Sequence, residues 1–385
     1  MKKALATILA LVMALGLTTA AWADDAGVTC NGENCTHAAE FNGKHYNHLV
    51  DAYAALTRGT TKPAAAEVIT LLRDSSGGGI GSDTDTNMNY VIDFGGYTYT
   101  VGAPAVGSTG TVSQGLRVLQ TSTAKFMNGT LKAADYNGLV QVVHTYGDVT
   151  FENFNVDARE NSYAQIAVEP DCGTLNINGN SSILAREGMT GLYVAFWHTG
   201  TYNGTTVNVN TTGKITGKLV YEFDEDMTGD AAATENRAVL NIANGNFEIT
   251  GIQTLFSGVA NEALKEAKIE VSGGTFSTDV KEYLAEGKIL QKNGDTYTAV
   301  TNGAITSGTY TSEPTVPSGY KATKNDDGTW TVSKVSYYYY QPTTDTKTTD
   351  TKGSPKTFDA GIALYVGMAL TSAAGVAFVG KKRED

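Results

Sequence analysis

The stretch GDVTFENFNVDA, Gly147 to Ala158, sets Val149 and Phe151 two residues apart and Val156 five further on, with Asn153 between them. Residues i and i+2 of a strand share a face, so Val149 and Phe151 point the same way. The pattern recurs on both sides of this stretch. The copies are Ile92/Phe94/Tyr99, Ala124/Phe126/Leu131, Leu175/Ile177/Ile183, Val207/Val209/Ile215, Leu240/Ile242/Phe247 and Ile269/Val271/Phe276. Their middle residues, Phe94, Phe126, Phe151, Ile177, Val209, Ile242 and Val271, follow one another at intervals of 25 to 33 positions. A near-period of that size marks a solenoid, and alternation by two excludes a helical one, which would show 3.6-residue stripes.

Asn and Gly fill the gaps between the apolar anchors, as in Asn128-Gly129, Asn178-Gly179-Asn180, Asn244-Gly245-Asn246 and Gly273-Gly274. Both residues tolerate left-handed backbone angles and therefore suit corners. One coil of short strands cannot bury its apolar side, whereas stacked coils share a single core and can ladder Asn side chains at equivalent corners. A parallel β-helix over residues 89–277 is the expected architecture.

NYVIDFGGYTYTV, AKFMNGTLKA, GDVTFENFNVDA and GTLNINGNSSILA together resemble the pectate-lyase-like right-handed β-helix, in the non-catalytic form carried by secreted proteins of Gram-positive gut bacteria. The resemblance spans roughly residues 46–276. It implies an all-β, right-handed parallel β-helix with an N-terminal capping helix.

The chain opens MKKALATILALVMALGLTTAAWADD, with Lys2 and Lys3, an apolar run from Ala4 to Leu17 and Ala21-Trp22-Ala23 ahead of Asp24. This is the form of a secretory signal peptide over 1–23. The whole chain has 28 Lys+Arg against 40 Asp+Glu, and the leader holds two of the lysines and no acid, leaving 26 against 40, or −14. Such a surface repels nucleic acid and anionic membranes.

Residues 24–88 read as an N-terminal cap. HYNHLVDAYAAL, His45 to Leu56, places Leu49, Tyr53 and Leu56 at helical spacing, and a first strand is expected at Val68 to Leu72. Cys30 and Cys35 close a short loop that an exported protein can lock as a disulfide. Two other states are open for them: free thiols, or zinc ligands together with His37, His45 and His48. The Cys30–Cys35 disulfide is carried forward, with no metal and no cofactor. Cys172 reads as a small buried residue.

Many β-helices cleave polysaccharides and carry recognisable catalytic patterns. The similar polygalacturonase family carries Asn-Thr-Asp, Asp-Asp, Gly-His-Gly and Arg-Ile-Lys elements on consecutive coils, and residues 89–277 contain none. Arg159, Arg186 and Arg237 read as loop residues, and His144 and His198 stand apart from any Ser or Cys. No enzyme activity is expected. DTDTN at Asp83 to Asn87 begins like a calcium loop, but Met88 and Phe94 occupy the positions that need Gly and Glu. EFDEDMTGD, Glu222 to Asp230, reads as a solvated acidic loop.

Tyr193, Phe196, Trp197 and Tyr202 gather in one enlarged coil. Exposed rings stack on sugars or anchor protein partners, so Tyr193, Trp197 and Tyr202 are the candidate ligand-binding aromatics.

Beyond the coils, residues 271–300 align with 305–332 as a strand followed by a hairpin, with turns at Asn293-Gly294 and Asp327-Gly328. These modules, 278–335, are expected to cap the C-terminal edge of the solenoid. Residues 336–353 form a Thr/Asp/Lys spacer with TTDTK in tandem, about 60 Å long when extended.

SPKTF, Ser354 to Phe358, precedes an uncharged run from Ala360 to Gly380 and the ending KKRED. About 20 apolar residues span a bilayer, and Lys381-Lys382-Arg383 fixes that end inside. Motif, helix and basic tail in this order are similar to the sorting signal of sortase-anchored proteins of Gram-positive bacteria. That family's motif is Leu-Pro-x-Thr-Gly; Pro355 and Thr357 match it, Lys356 takes the free position, and Ser354 and Phe358 depart from it. The resemblance implies a sortase and a peptidoglycan precursor as partners, Thr357 as the residue joined to the wall, and an extracellular, wall- or surface-anchored protein. An adhesin or glycan-binding protein is the expected function, its ligand a host or microbial glycan or protein. A polysaccharide-active lyase or glycosidase and a purely structural wall protein are the alternatives.

Overall fold

A computed structural model of the chain describes residues 35–336, apart from 109, 198–203, 225–236, 260–261 and 263–264. The leader, Cys30, the acidic loop beyond Asp224, Tyr202, the spacer, the sorting motif and the C-terminal apolar run lie outside the described residues. No helix within them is long and apolar enough to cross a membrane.

Strands make up 53% and helix 4% of the structure, and the strands are wound into a β-solenoid of about five turns. Each full coil contributes a strand to three parallel ladders. In the first ladder Ile92 faces Phe126, then Phe151, Ile177, Val209, Ile242 and Val271 in unbroken succession. In the second, Tyr99, Leu131, Val156, Ile183, Ile215, Phe247 and Phe276 form another file. Every one of these side chains is at most 1% exposed. A fully buried Phe, Leu, Ile or Val contributes about 1.5–3 kcal/mol, and the two files share one cylinder of core.

The third ladder has no counterpart in the sequence template. Gln114–Val118, Gln141–Thr145, Ile166–Pro170 and Thr190–Val194 run parallel and are joined by the last third of the strand Gly204–Asp224. Its inward file is Leu116, Val143, Val168, Leu192 and Leu219, all fully buried.

The register differs from expectation in the first coil. The partner of Phe126 is Ile92, and Tyr90 takes the place assigned to Ile92. Gly95 and Gly96 both have positive φ and turn the chain directly after Phe94. Phe94 is thereby moved out of the ladder, and its ring packs 4.8 Å from Phe154. Corners carry the expected chemistry: Asn128, Asn153 and Gly179 occupy equivalent positions with φ of 57°, 52° and 64°. The Asn ladder lies elsewhere, within the first-ladder strands. Asn241 donates to Asn208 and Asn208 to Asn176, each at 2.9 Å, from positions between the apolar pairs. Strand pairing brings those side chains into line every coil, while the corner Asn residues are occupied by left-handed turns.

At the N-terminus the helix runs only Leu49–Ala54. His45 instead lies in the strand Lys44–Tyr46, which forms a hairpin with Ala39–Phe41 around Asn42 and Gly43, both at positive φ. Backbone pairing of Ala39 with Tyr46 and Leu71 claims that segment before a helix can. The next strand is Glu67–Leu71, one residue earlier than expected. Tyr53 donates to Asp85 at 2.9 Å and Arg58 pairs with the same carboxylate at 2.8 Å, so the short helix is fastened to the first full coil.

At the other end the duplicated modules continue the last coil as antiparallel strands. Phe276 pairs with Tyr297 in the first module and Tyr310 with Trp330 in the second, the same contact repeated. Ile289, Ile305, Tyr310 and Val332 form a separate small core there. The first hairpin turns on Gly294-Asp295, one residue beyond the expected position, because Asn293 still pairs with Thr296.

Replacing Phe151 by Asp would place an unpaired charge where Phe126, Phe154 and Ile177 meet. The expected loss is several kcal/mol. Chemical denaturation followed by far-UV circular dichroism should show it, whereas Thr150→Asp, on the half-exposed face of the same strand, should change stability little.

Candidate functional site

The outward face of the third ladder is polar and largely buried. Arg117, His144 and Glu169 lie opposite one another on successive coils, with Tyr193 next along the row after Glu169. Arg117 is 7% exposed, His144 4% and Asp171 6%, which is unusual for charged side chains on the outside of a strand. Residues 102–113 account for part of the cover. Val106 and Gln114 exchange two backbone hydrogen bonds of 2.8 Å, and Ser108 accepts from Arg117 at 2.7 Å.

His144 sits at the centre. Its Nε2 lies 2.7 Å from an Asp171 oxygen and its Nδ1 2.9 Å from the Gln114 amide nitrogen. The Gln114 amide donates, so Nδ1 accepts and Nε2 carries the proton given to Asp171. The Tyr146 ring lies 4.5 Å from the imidazole, and the Arg117 guanidinium 5.7 Å from that tyrosine ring. Burial lowers the Arg117 pKa and raises that of Tyr146.

Glu169 is held close to its protonation midpoint at neutral pH. Burial and then the Asp171 charge push it up to about 7, while His144 and a hydrogen bond from Gln141 act against them. On the following coil Tyr193 donates to Glu222, whose other oxygen accepts from Ser257 at 2.5 Å. Burial first, and then that carboxylate, raise the Tyr193 hydroxyl pKa. Arg117 Nε and Nη1, Gln114 Oε1 and Glu169 Oε2 are buried without a partner among the described residues. Buried polar atoms are seldom left so, and four in one cluster suit a surface that meets a polar ligand.

Trp197 borders this cluster. Its backbone N–H donates to Asp171 at 2.7 Å and its carbonyl accepts from the Cys172 thiol at 2.9 Å, while the side chain is 48% exposed. Of the candidate aromatics, Tyr193 is half-buried and bound to Glu222, Trp197 is exposed, and Tyr202 is outside the described residues. Phe196 belongs to the core. Cys172 is fully buried, as expected.

His144, which the sequence sets apart from any Ser or Cys, joins two carboxylates of the following coil, Glu169 and Asp171. One donor atom from each of His144, Glu169 and Asp171 lies within 4.8 Å of the others. Arg237 is a strand residue, 3% exposed, with its guanidinium 4.2 Å from the Phe223 ring centre. Sequence reasoning missed the cluster because its residues lie in the third ladder, outside the repeated template. The available signal was a polar residue among apolar ones near the coil period, in GLRV, VVHT and AVEP. Cys35 Sγ lies 3.2 Å from His37 Nδ1 and 2.8 Å from His45 Nδ1.

No protein-family model, curated protein or solved structure matches the chain.

The Glu169 carboxyl predicts a pH dependence. Its folded pKa, about 7, exceeds the ordinary 4.5, so the folded state holds the proton more tightly. Its contribution to stability is full below pH 4.5 and is lost as pH rises to about 7. Melting temperatures measured across that window should fall with pH, and Glu169→Gln should flatten the fall.

Proposed function

We propose that the protein is a surface-displayed β-helix that binds a glycan through the third-ladder face around Trp197. The observation that carries this reading is the exposed ring of Trp197, whose backbone N–H donates to the Asp171 carbonyl, beside buried polar atoms that lack partners among the described residues. Aromatic faces stack on sugar rings, and carboxylates and amides accept or donate to hydroxyls. Three acids, Glu169, Asp171 and Glu222, favour a neutral or amino sugar over an anionic pectin.

Screening the exported chain on a glycan array, followed by calorimetry, tests the reading. Trp197→Ala should weaken binding about fivefold or more, since stacking contributes on the order of 1 kcal/mol, with the melting temperature unchanged. Binding that survives this substitution would move the site elsewhere.

A second reading is favoured by one observation. A carboxyl raised to about 7 beside a second carboxylate is the arrangement of an acid/base pair in glycoside hydrolysis. Release of reducing ends from a neutral polysaccharide, abolished by Glu169→Gln, would replace binding with catalysis.

We further propose that the C-terminus anchors the protein, by transfer of Thr357 to peptidoglycan. A sortase cysteine breaks the Thr357–Phe358 peptide bond, forming a thioester with the Thr357 carbonyl and releasing the segment from Phe358 onward as an amine, before an amine of the wall precursor displaces the cysteine; Pro355 bends the peptide into the cleft. Wall-digesting hydrolases should free the wild type as a mixed-mass ladder, and Thr357→Ala should move it to the membrane fraction. Wild type found wholly in the membrane would reject wall attachment while leaving surface display.

A further inference from the structure

We propose that Cys35, His37 and His45 form a binding site for a divalent ion of the zinc class, at the N-terminal end of the β-helix. Two imidazole nitrogens converge on one sulfur, at 3.2 Å and 2.8 Å, and the three donor atoms lie within 4.8 Å of one another. A tetrahedral zinc ion bound at ordinary Zn–S and Zn–N lengths sets its sulfur and nitrogen ligands about 3.5 Å apart. The two observed sulfur–nitrogen distances differ from that by less than an ångström. The His37 and His45 rings stand 6.0 Å apart at 69°, so they approach a common point from different directions instead of stacking.

The backbone holds this convergence in place. His45 sits in the strand Lys44–Tyr46 opposite Glu40, and the Asn42-Gly43 turn fixes that register. The Ala38 N–H donates to the Tyr46 carbonyl at 2.9 Å, which aligns the approaching segment of Cys35 and His37 with the same hairpin. All three side chains are half-buried, dry enough to favour coordination and open enough for an ion to enter. A thiolate with two imidazoles is a soft, nitrogen-rich set that selects zinc over calcium or magnesium. The hairpin pairs with Glu67–Leu71 at the N-terminal end of the solenoid, and an ion there would tie the segment of Cys35 and His37 to its second strand. The site is independent of the glycan reading, which rests on another part of the molecule.

A disulfide between Cys35 and Cys30 is the competing state, and the experiment separates the two. The full exported chain is reduced, stripped of metal and titrated with zinc and then with cobalt. One zinc per chain is expected, as is a cobalt spectrum with tetrahedral visible bands and a thiolate charge-transfer band in the ultraviolet. His37→Ala and His45→Ala should each lower zinc affinity by about tenfold or more, since even losing a residue that merely orients a ligand costs that much. Cys35→Ser should remove the thiolate band, and Cys30→Ser, in which no disulfide to Cys35 can form, should keep it. The proposal is overturned if the reduced chain takes up no stoichiometric zinc. It is also overturned if both histidine variants bind as the wild type does, or if the thiolate band vanishes in Cys30→Ser and persists in Cys35→Ser. Circular dichroism of each variant checks that the solenoid is intact, since the three ligand side chains are not among its core residues.

Discussion

Register between neighbouring coils is the constraint on which the rest of this molecule depends. A single coil has too little apolar surface to outweigh the conformational entropy of ordering it, at about 1–2 kcal/mol per residue. Only a neighbour that presents its own inward residues at the same height closes the core. Phe126 meets Ile92 on one side and Phe151 on the other, and a slip by one residue would turn all three outward. The Asn176–Asn208–Asn241 ladder and the left-handed corners at Asn128 and Asn153 work in the same direction, because each has its hydrogen-bonding partners only in the native register.

Much of the fold was legible for that reason. Repetition makes a weak pattern strong: one apolar pair is ambiguous, but seven copies ending in the second-ladder file from Tyr99 to Phe276 leave little freedom. The reading failed where repetition stops. In the first coil two consecutive glycines admitted an earlier turn, and Phe94 was mistaken for a ladder residue. At the N-terminus the helical spacing of His45 to Leu56 holds only over Leu49–Ala54, because Lys44–Tyr46 pairs with Ala39–Phe41, which in turn pairs with Ile69–Leu71. The third ladder escaped notice because its strands are short and separated from the template by loops of variable length. Since His144, Glu169 and Asp171 lie there, the candidate site was less legible than the fold; only Tyr193 and Trp197, as aromatics among polar residues, pointed to the right coil.

A solenoid lets a buried polar cluster form at modest cost. Outward side chains on successive coils sit about 4.8 Å apart, so each coil brings one more partner to the row and partly shields the one before. Arg117, His144 and Glu169 are desolvated by one another and by residues 102–113, and not by the core. Substitutions in this row can therefore alter charge and hydrogen bonding while leaving the inward file of Leu116, Val143 and Val168 untouched. That separation of scaffold from site is what allows one fold to carry either a binding surface or an acid/base pair.

The same logic explains how the solenoid stops. An open coil exposes a full row of backbone donors and acceptors, which invites edge-to-edge association. Here the last coil hands its edge to an antiparallel strand through Phe276 and Tyr297, and the second module repeats the device through Tyr310 and Trp330. Each module leaves a new edge, so duplication alone would never terminate. Among the described residues the final edge strand, Tyr320–Lys324, pairs on one side only, with Trp330–Lys334, and carries Lys321 and Lys324 exposed. Charges on a short, one-sided strand make a further pairing costly, since an added strand would have to desolvate both lysines. The described array therefore ends after two modules, on an edge that its charges protect.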